Sequence, residues 1–172
     1  MARPYSFDPQ AALNAAMHVF WRVGYDLASL TELQNAMGIQ RGSLYQEFES
    51  KKNLFLKALE LYVVQFVDPG ITLLNNTDFT GRERIKRFFD MIPSDENRGC
   101  MLCNSAAGAA GTDRDVRDAV SVQLERLRDA FSKALISDYT KADERRAEAE
   151  RLTQLYIGKR VEARTAVWQE TL

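Results

Sequence analysis

Residues Gly24 to Leu54, GYDLASLTELQNAMGIQRGSLYQEFESKKNL, compress two short helical segments, a tight turn and the start of a third helix into one stretch. Ser29 followed by Glu32 has the spacing of a capping box: the hydroxyl accepts from an early helix N–H, and the carboxylate reaches back to the cap's own N–H. The spacing predicts a helix from Leu30, with Leu33, Met37 and Ala36 on its inner face and Thr31, Gln34 and Asn35 pointing outward. Gly38 ends it, because glycine accepts the left-handed geometry that helix ends favour.

The following segment, Gln40 to Glu47, is only two turns long. Leu44 faces inward, while Arg41, Ser43, Tyr45 and Gln46 are left for the outside. A helix this short is unstable alone. It needs the preceding helix to hold it, and that pairing is the layout of a helix-turn-helix, whose second helix enters the major groove of DNA.

The motif can be written as Gly24-Tyr25, Ala28-Ser29-Leu30, Leu33, Ala36, Gly38-Ile39, Gly42-Ser43-Leu44-Tyr45, Phe48, Ser50-Lys51 and Leu54. In this pattern the chain resembles the TetR family of bacterial transcriptional repressors. The match is dense over the first third of the chain. Beyond it, the resemblance rests on size, helicity and the local signature Arg98-Gly99-Cys100-Met101-Leu102-Cys103-Asn104. Gln40 departs from the pattern, standing where the family usually has Ser or Thr as cap of the recognition helix. The substitution weakens the cap and offers an amide to a base.

The remaining sequence reads as helices. Asp8-Pro9 caps a first helix, with Leu13, Ala16, Met17, Phe20 and Val23 at helical spacing up to Gly24. Ser50 caps a longer helix carrying Leu54, Ala58, Leu61 and Tyr62, ending before Asp68-Pro69-Gly70. A polar loop is expected from Pro69 to Phe79. Thr80 and Glu83 form a second capping box, opening a helix with Ile85, Phe88, Phe89 and Ile92 that ends before Pro93. Val116, Val120, Leu124, Leu127, Phe131 and Leu135 recur at steps of three and four, the strongest period in the chain. A last helix runs from about Asp143 toward Trp168. No strand-like alternation is long enough to build a sheet. The expected architecture is all-α: a three-helix helix-turn-helix domain over residues 1–50 and a larger helical domain over 51–172.

Composition is compatible with this reading. The chain has 172 residues, 45% of them hydrophobic, and a formal net charge of −1. Such a balance lacks the basic excess usual in DNA binders. Locally, however, Arg41, Lys51, Lys52 and Lys57 outnumber Glu47 and Glu49, and a dimer presents that surface twice. No run of about eighteen apolar residues and no signal peptide is present, so a soluble cytoplasmic protein without membrane association is expected.

The residue types assign roles within the motif. Arg41 and Gln46 are base readers, since Arg pairs with guanine O6/N7 and Gln with adenine N6/N7; Gln40 is a third candidate. Gly42 permits close backbone approach and Ser43 shares the exposed face. Tyr45 and Lys51 match the family's phosphate contacts, and Ser29 at a helix N-terminus can join them. Arg3, ahead of the first helix, reads either as an arm that reaches a minor groove or as part of a disordered terminus.

The resemblance implies a homodimer on a double-stranded, near-palindromic operator, released by a small-molecule effector of unstated identity. The implied interface is a four-helix bundle of the last two helices and their twins, with Leu124, Leu127, Phe131, Leu155 and Tyr156 as candidate residues; the alternative is that the stripe from Val116 to Leu135 packs inside its own domain. The family's closing helix usually runs further, so Leu172 reads as an early end. An effector pocket is expected among Tyr62, Phe66, Phe88, Phe89, Met91, Met101, Asn104 and Phe131, which supply an apolar lining with one polar group.

Cys100 and Cys103 form a single C-x-x-C. No second pair exists, and the sole histidine, His18, lies in the first helix, where it faces solvent or covers the turn. A four-ligand zinc site therefore lacks donors. The pair reads as two buried, inert thiols, with a thiol or soft-metal sensor as the alternative. No metal and no cofactor is expected. An enzyme is disfavoured too: the glycine-bearing Gly108–Gly111 stretch lacks the preceding strand and following lysine of a phosphate loop, and one histidine is a poor basis for acid–base chemistry. A helical interaction module of the same fold without DNA binding is the competing class.

Overall fold

The computed structural model describes residues 7–92 and 97–164. Arg3 and the approach to Trp168 lie outside the described residues. All regular elements among the described residues are helical.

Helix α1, Pro9–Leu27, begins as its cap dictates: the Asp8 carboxylate accepts from the N–H groups of Gln10 and Ala11, and Pro9 occupies the first turn, where no backbone donor is needed. Its helical geometry breaks at Gly24, where the sequence placed the end, and one further turn carries on to Leu27. Ala12, Ala16, Met17, Phe20 and Trp21 turn one face of α1 into the core, where it covers α2 and α4.

Helix α2, Leu30–Met37, is held at its start by Ser29, whose Oγ accepts from Glu32 N at 3.1 Å. Only this half of the expected capping box forms. The Glu32 carboxylate turns instead to Arg22 of α1, 2.7 Å away, because an exposed guanidinium one helix over offers a charge-assisted bond. Ala36, expected on the inner face, is exposed. At the other end Gly38 takes φ +67, and Ile39 N closes back on the Gln34 carbonyl in a Schellman-type turn.

Helix α3, Arg41–Phe48, follows directly. Its cap residue Gln40 makes no side-chain cap bond, as the departure from Ser or Thr predicts. The helix is instead pinned by Leu44 and Phe48, both buried, with Met37 and Ile39 beneath the turn.

Helix α4, Lys51–Tyr62, is capped by Ser50 and continues without a gap through a π-helical turn, Val63–Val67, into α5, Asp68–Asn75. The expected loop after Pro69 is thus overturned as far as Asn75. Asp68 and Pro69 open a helix at its first turn, where proline fits, and Leu74 anchors that helix in the core. Helix α6, Gly81–Asp90, carries the complete Thr80–Glu83 capping box. Helix α7, Met101–Ala107, and a short 3₁₀ turn, Ala109–Gly111, lead to α8, Arg114–Ala134, and α9, Ala142–Glu162. The two long helices pack on each other, and α8 also covers α5, α6 and α7.

Candidate nucleic-acid interface and adjoining cavity

One side of α3 is open. Gln40, Arg41, Gly42, Tyr45 and Gln46 are exposed and Ser43 is half-buried, while Leu44 and Phe48 fasten the opposite side. Nothing lies within 4 Å of the position a Cβ would take on Gly42, so the backbone there can be approached closely. The Arg41 guanidinium stacks over the Tyr45 ring at 5.6 Å, which groups a bidentate hydrogen-bond donor with a phenol on one face. Ser29 sits exposed at the start of α2, with its oxygen engaged in the cap.

Lysines expected to sum into a basic patch divide instead. Lys51 lies over the Tyr25 ring at 4.7 Å, its Nζ 3.5 Å from the Asp26 carbonyl; partial burial lowers its pKa, and the Asp26 charge opposes that shift. Lys52 turns away to Asp115 at 2.5 Å and Asp113 at 3.5 Å, joining α4 to the start of α8. Lys57 caps the Phe48 ring at 5.4 Å. Of these cations, Arg41 lies on the open face of α3, and Lys51 lies beside the end of α1.

Behind the motif lies a cavity of about 90 Å³, lined by Trp21, Tyr62, Phe66, Val67, Gly70, Phe88, Met91, Ile92, Leu127, Tyr156 and Arg160. Tyr62, Phe66, Phe88 and Met91 are among the residues expected there. Four others are not. Phe89 and Phe131 are spent on packing around Phe88, at 5.4 and 5.0 Å between centroids. Met101 and Asn104 line a separate cleft beside Tyr25, Asp26 and Gly108, and Asn104 Nδ2 holds the Arg98 carbonyl at 2.9 Å.

Sequence reasoning missed Trp21, Tyr156 as a cavity residue, and Arg160. A signal existed: Leu152, Tyr156 and Arg160 recur at steps of four, and the first two are apolar enough to mark that face as inward. Tyr156, assigned to a dimer interface, is buried inside its own subunit, as are Leu127 and Phe131; Leu124 is half-buried and Leu155 exposed. The stripe on α8 closes its own domain.

The two thiols are free and buried. Cys100 caps α7, and the Tyr156 hydroxyl donates to its Sγ at 3.4 Å. Burial opposes ionisation of Cys100, but donors from Cys103, Tyr156 and Tyr62 together outweigh it and hold its pKa below the ordinary thiol value. Cys103 shifts the other way, first because it donates to Cys100 and then through burial. His18 neither faces solvent nor joins the thiols. It stacks toward Trp21 at 6.2 Å and lies 3.1 Å from an Arg98 Nη, because Arg98 folds over the same indole at 3.9 Å. No group of three or more metal-ligating side chains assembles among the described residues. No helix among them is long and apolar enough to cross a membrane.

Residues 12–58 match the family model described as bacterial regulatory proteins, tetR family. Among curated proteins, the HTH-type transcriptional repressor ComR of Escherichia coli (strain K12) is 29% identical over 123 residues, 69% of this chain and 59% of ComR. The HTH-type transcriptional repressor BdcR of the same organism is 31% identical over 128 residues, 70% of this chain and 61% of BdcR. The chain thus spans about three-fifths of the length of these two relatives. A solved structure of the TetR family transcriptional regulator CifR, a cysteine mutant complexed with 26bp double-strand operator DNA, superposes with a TM-score of 0.84 at 29% identity, covering 95% of this chain and 91% of that one.

Proposed function

The chain belongs to the tetR family of bacterial regulatory proteins, and on that premise we propose that it is a dimeric, ligand-responsive repressor of transcription and not an enzyme. Each subunit lays α3 in one major groove of a near-palindromic operator. Arg41 and Gln46 read base edges, with Gln40 beside them; Gly42 and Ser43 give close approach; Tyr45, Lys51 and the α2 N-terminus at Ser29 fix register on phosphates. Residues 1–50 form the DNA-binding unit and residues 51–172 the effector-binding and dimerisation unit.

The carrying observation is the two-sided character of α3: a buried Leu44 and Phe48 against an outer face that exposes Gln40, Arg41, Tyr45 and Gln46 with no intramolecular cover. Effector binding favours a state in which the paired α3 helices no longer match the operator spacing, and its differential affinity for that state limits the response.

Selection of bound fragments from random double-stranded DNA tests this reading. A two-fold symmetric motif is the expected result. On that motif Arg41→Ala relaxes base preference at one position per half-site, whereas Lys51→Ala weakens all sequences alike and flattens the salt slope by about 1. A folded dimer that enriches no sequence would instead support an interaction module.

A second reading, control by thiol chemistry, is favoured by the three donors converging on Cys100. Peroxide or Cu(I) would then change operator affinity in the native protein and not after Cys100→Ser with Cys103→Ser.

A further inference from the structure

The cavity behind the motif holds one charged group in an otherwise apolar and aromatic wall. Arg160 is 5% exposed, and one Nη donates to the Gly99 carbonyl. Among the described residues its Nε and other Nη have no hydrogen-bond partner and it joins no ion pair. A guanidinium keeps its charge in any protein environment, and an unpaired buried charge is costly. The other buried arginine among the described residues, Arg84, leaves its Nε without a partner but commits both Nη atoms to backbone carbonyls, of Leu74 and Ala134, at 2.9 and 3.4 Å, whereas Arg160 commits one. The donors that converge on the Cys100 sulfur come from Cys103, Tyr156 and Tyr62, and not from Arg160.

We infer that this cavity binds a small organic anion, with its carboxylate on Arg160 and its apolar body against Trp21, Tyr62, Phe66 and Phe88. The inference deepens the reading of the chain as a ligand-responsive regulator and rests on it for the ligand's role, though not for its binding. Size follows from the space available. A cavity of about 90 Å³ is smaller than the ~150 Å³ engineered pocket that accepts benzene. The buried body is therefore one ring or a short chain, with any longer tail leaving past Phe66 and Met91, which are 44% and 46% exposed.

The site also touches the DNA-binding unit directly. Trp21 belongs to α1, and its indole N–H shares the Gly99 carbonyl with Arg160. A carboxylate that draws on Arg160 competes with this shared carbonyl for the guanidinium, and the ligand's body presses on Trp21. Since α1 packs on α2 and α4, the displacement enters the helix-turn-helix without an intermediary.

The test is calorimetric titration of the full chain, without DNA, using benzoate and hexanoate, each beside its primary amide. Each acid is expected to bind tenfold or more tightly than its amide, the margin of a charge-assisted over a neutral hydrogen bond. Arg160→Gln should bring acid and amide within threefold, and Arg160→Lys should retain a reduced preference, which separates lost charge from lost fold. Met91→Trp should close the mouth to both. Equal binding of acid and amide, or no binding of either, overturns the inference. Operator selection with the unliganded chain runs in parallel. A palindrome without acid preference removes the inference and leaves the regulator; acid preference without DNA binding does the reverse.

Discussion

The indole Nε1–H of Trp21 donates to the carbonyl oxygen of Gly99 at 3.2 Å, joining α1 to the segment that leads into α7. The indole also packs against Tyr62 and Phe66, each with centroids 4.9 Å away, and carries the Arg98 guanidinium on its face. One side chain thus serves the core beneath α1, the cavity wall and the strap between them. Trp21→Phe keeps most of the aromatic packing and removes the donor. The expected cost is about 1 kcal/mol, with Gly99 still satisfied by Arg160. Urea denaturation reads it, and an unchanged midpoint would show that the bond contributes nothing net.

Gly99 itself has φ +68, and a Cβ there would come within 2.7 Å of the Arg160 carbonyl oxygen. Gly38 has nearly the same φ, +67, with nothing within 4 Å of the corresponding position. Gly38→Ala therefore incurs only the left-handed backbone penalty of about 1 kcal/mol, whereas Gly99→Ala adds a clash with backbone that cannot swing aside. Thermal melts of the two variants should rank Gly99→Ala as clearly the less stable. Equal losses would mean that α9 yields at Arg160 without cost.

Much of the helix-turn-helix was legible in the sequence because its signals are local. Ser29, Gly38, Ser50 and the missing cap at Gln40 each act within one turn, and each behaves as its chemistry dictates. The partial failure at Glu32 came from Arg22, ten residues away, a competitor that no i, i+3 rule includes. Farther along, Asp68-Pro69-Gly70 was read as a stop, although the same residues suit the first turn of α5. Periodicity found the buried stripe of α8 but not its partner. Whether Leu127 and Phe131 face a twin or Phe88 depends on tertiary packing that spacing does not encode. Arg160 was passed over because charge is normally read as solvent-facing, although its place on the Leu152–Tyr156 face argued otherwise.

Asp113 provides a pH-dependent link between α4 and the start of α8. Its carboxylate caps α8 through the Asp115 and Val116 N–H groups and lies 3.5 Å from Lys52. The backbone N–H of Val116, foremost, and the Lys52 charge hold its pKa below the usual aspartate value of 3.8, against a smaller opposing effect of desolvation. A carboxyl whose folded pKa is depressed contributes stability above its unfolded value, and loses that contribution as pH falls through the folded one. Asp113→Ala should therefore melt lower than the parent at neutral pH. The gap should narrow as pH drops below 3.8. A gap independent of pH would assign the loss to packing and not to the ionised cap.

The proposed dimer has to use what α8 and α9 leave uncovered, since Leu127, Phe131 and Tyr156 are closed off within the subunit. On α9, Leu155 and Val161 are 41% and 46% exposed, and Gly158 lies between them at steps of three with nothing within 4 Å of its Cβ position. Val122 on α8, 52% exposed, adds a further apolar group. A helix face with a small residue at its centre lets a second helix approach closely, as a bundle of paired helices requires. Leu155→Glu combined with Val161→Glu alters no buried contact, so helicity by circular dichroism should be unchanged. In sedimentation the variant should run as a monomer, and operator affinity should fall by about 10²-fold or more, because the second half-site is no longer bound intramolecularly. A variant that still sediments as a dimer would move the interface away from this face of α9, whatever its effect on DNA binding.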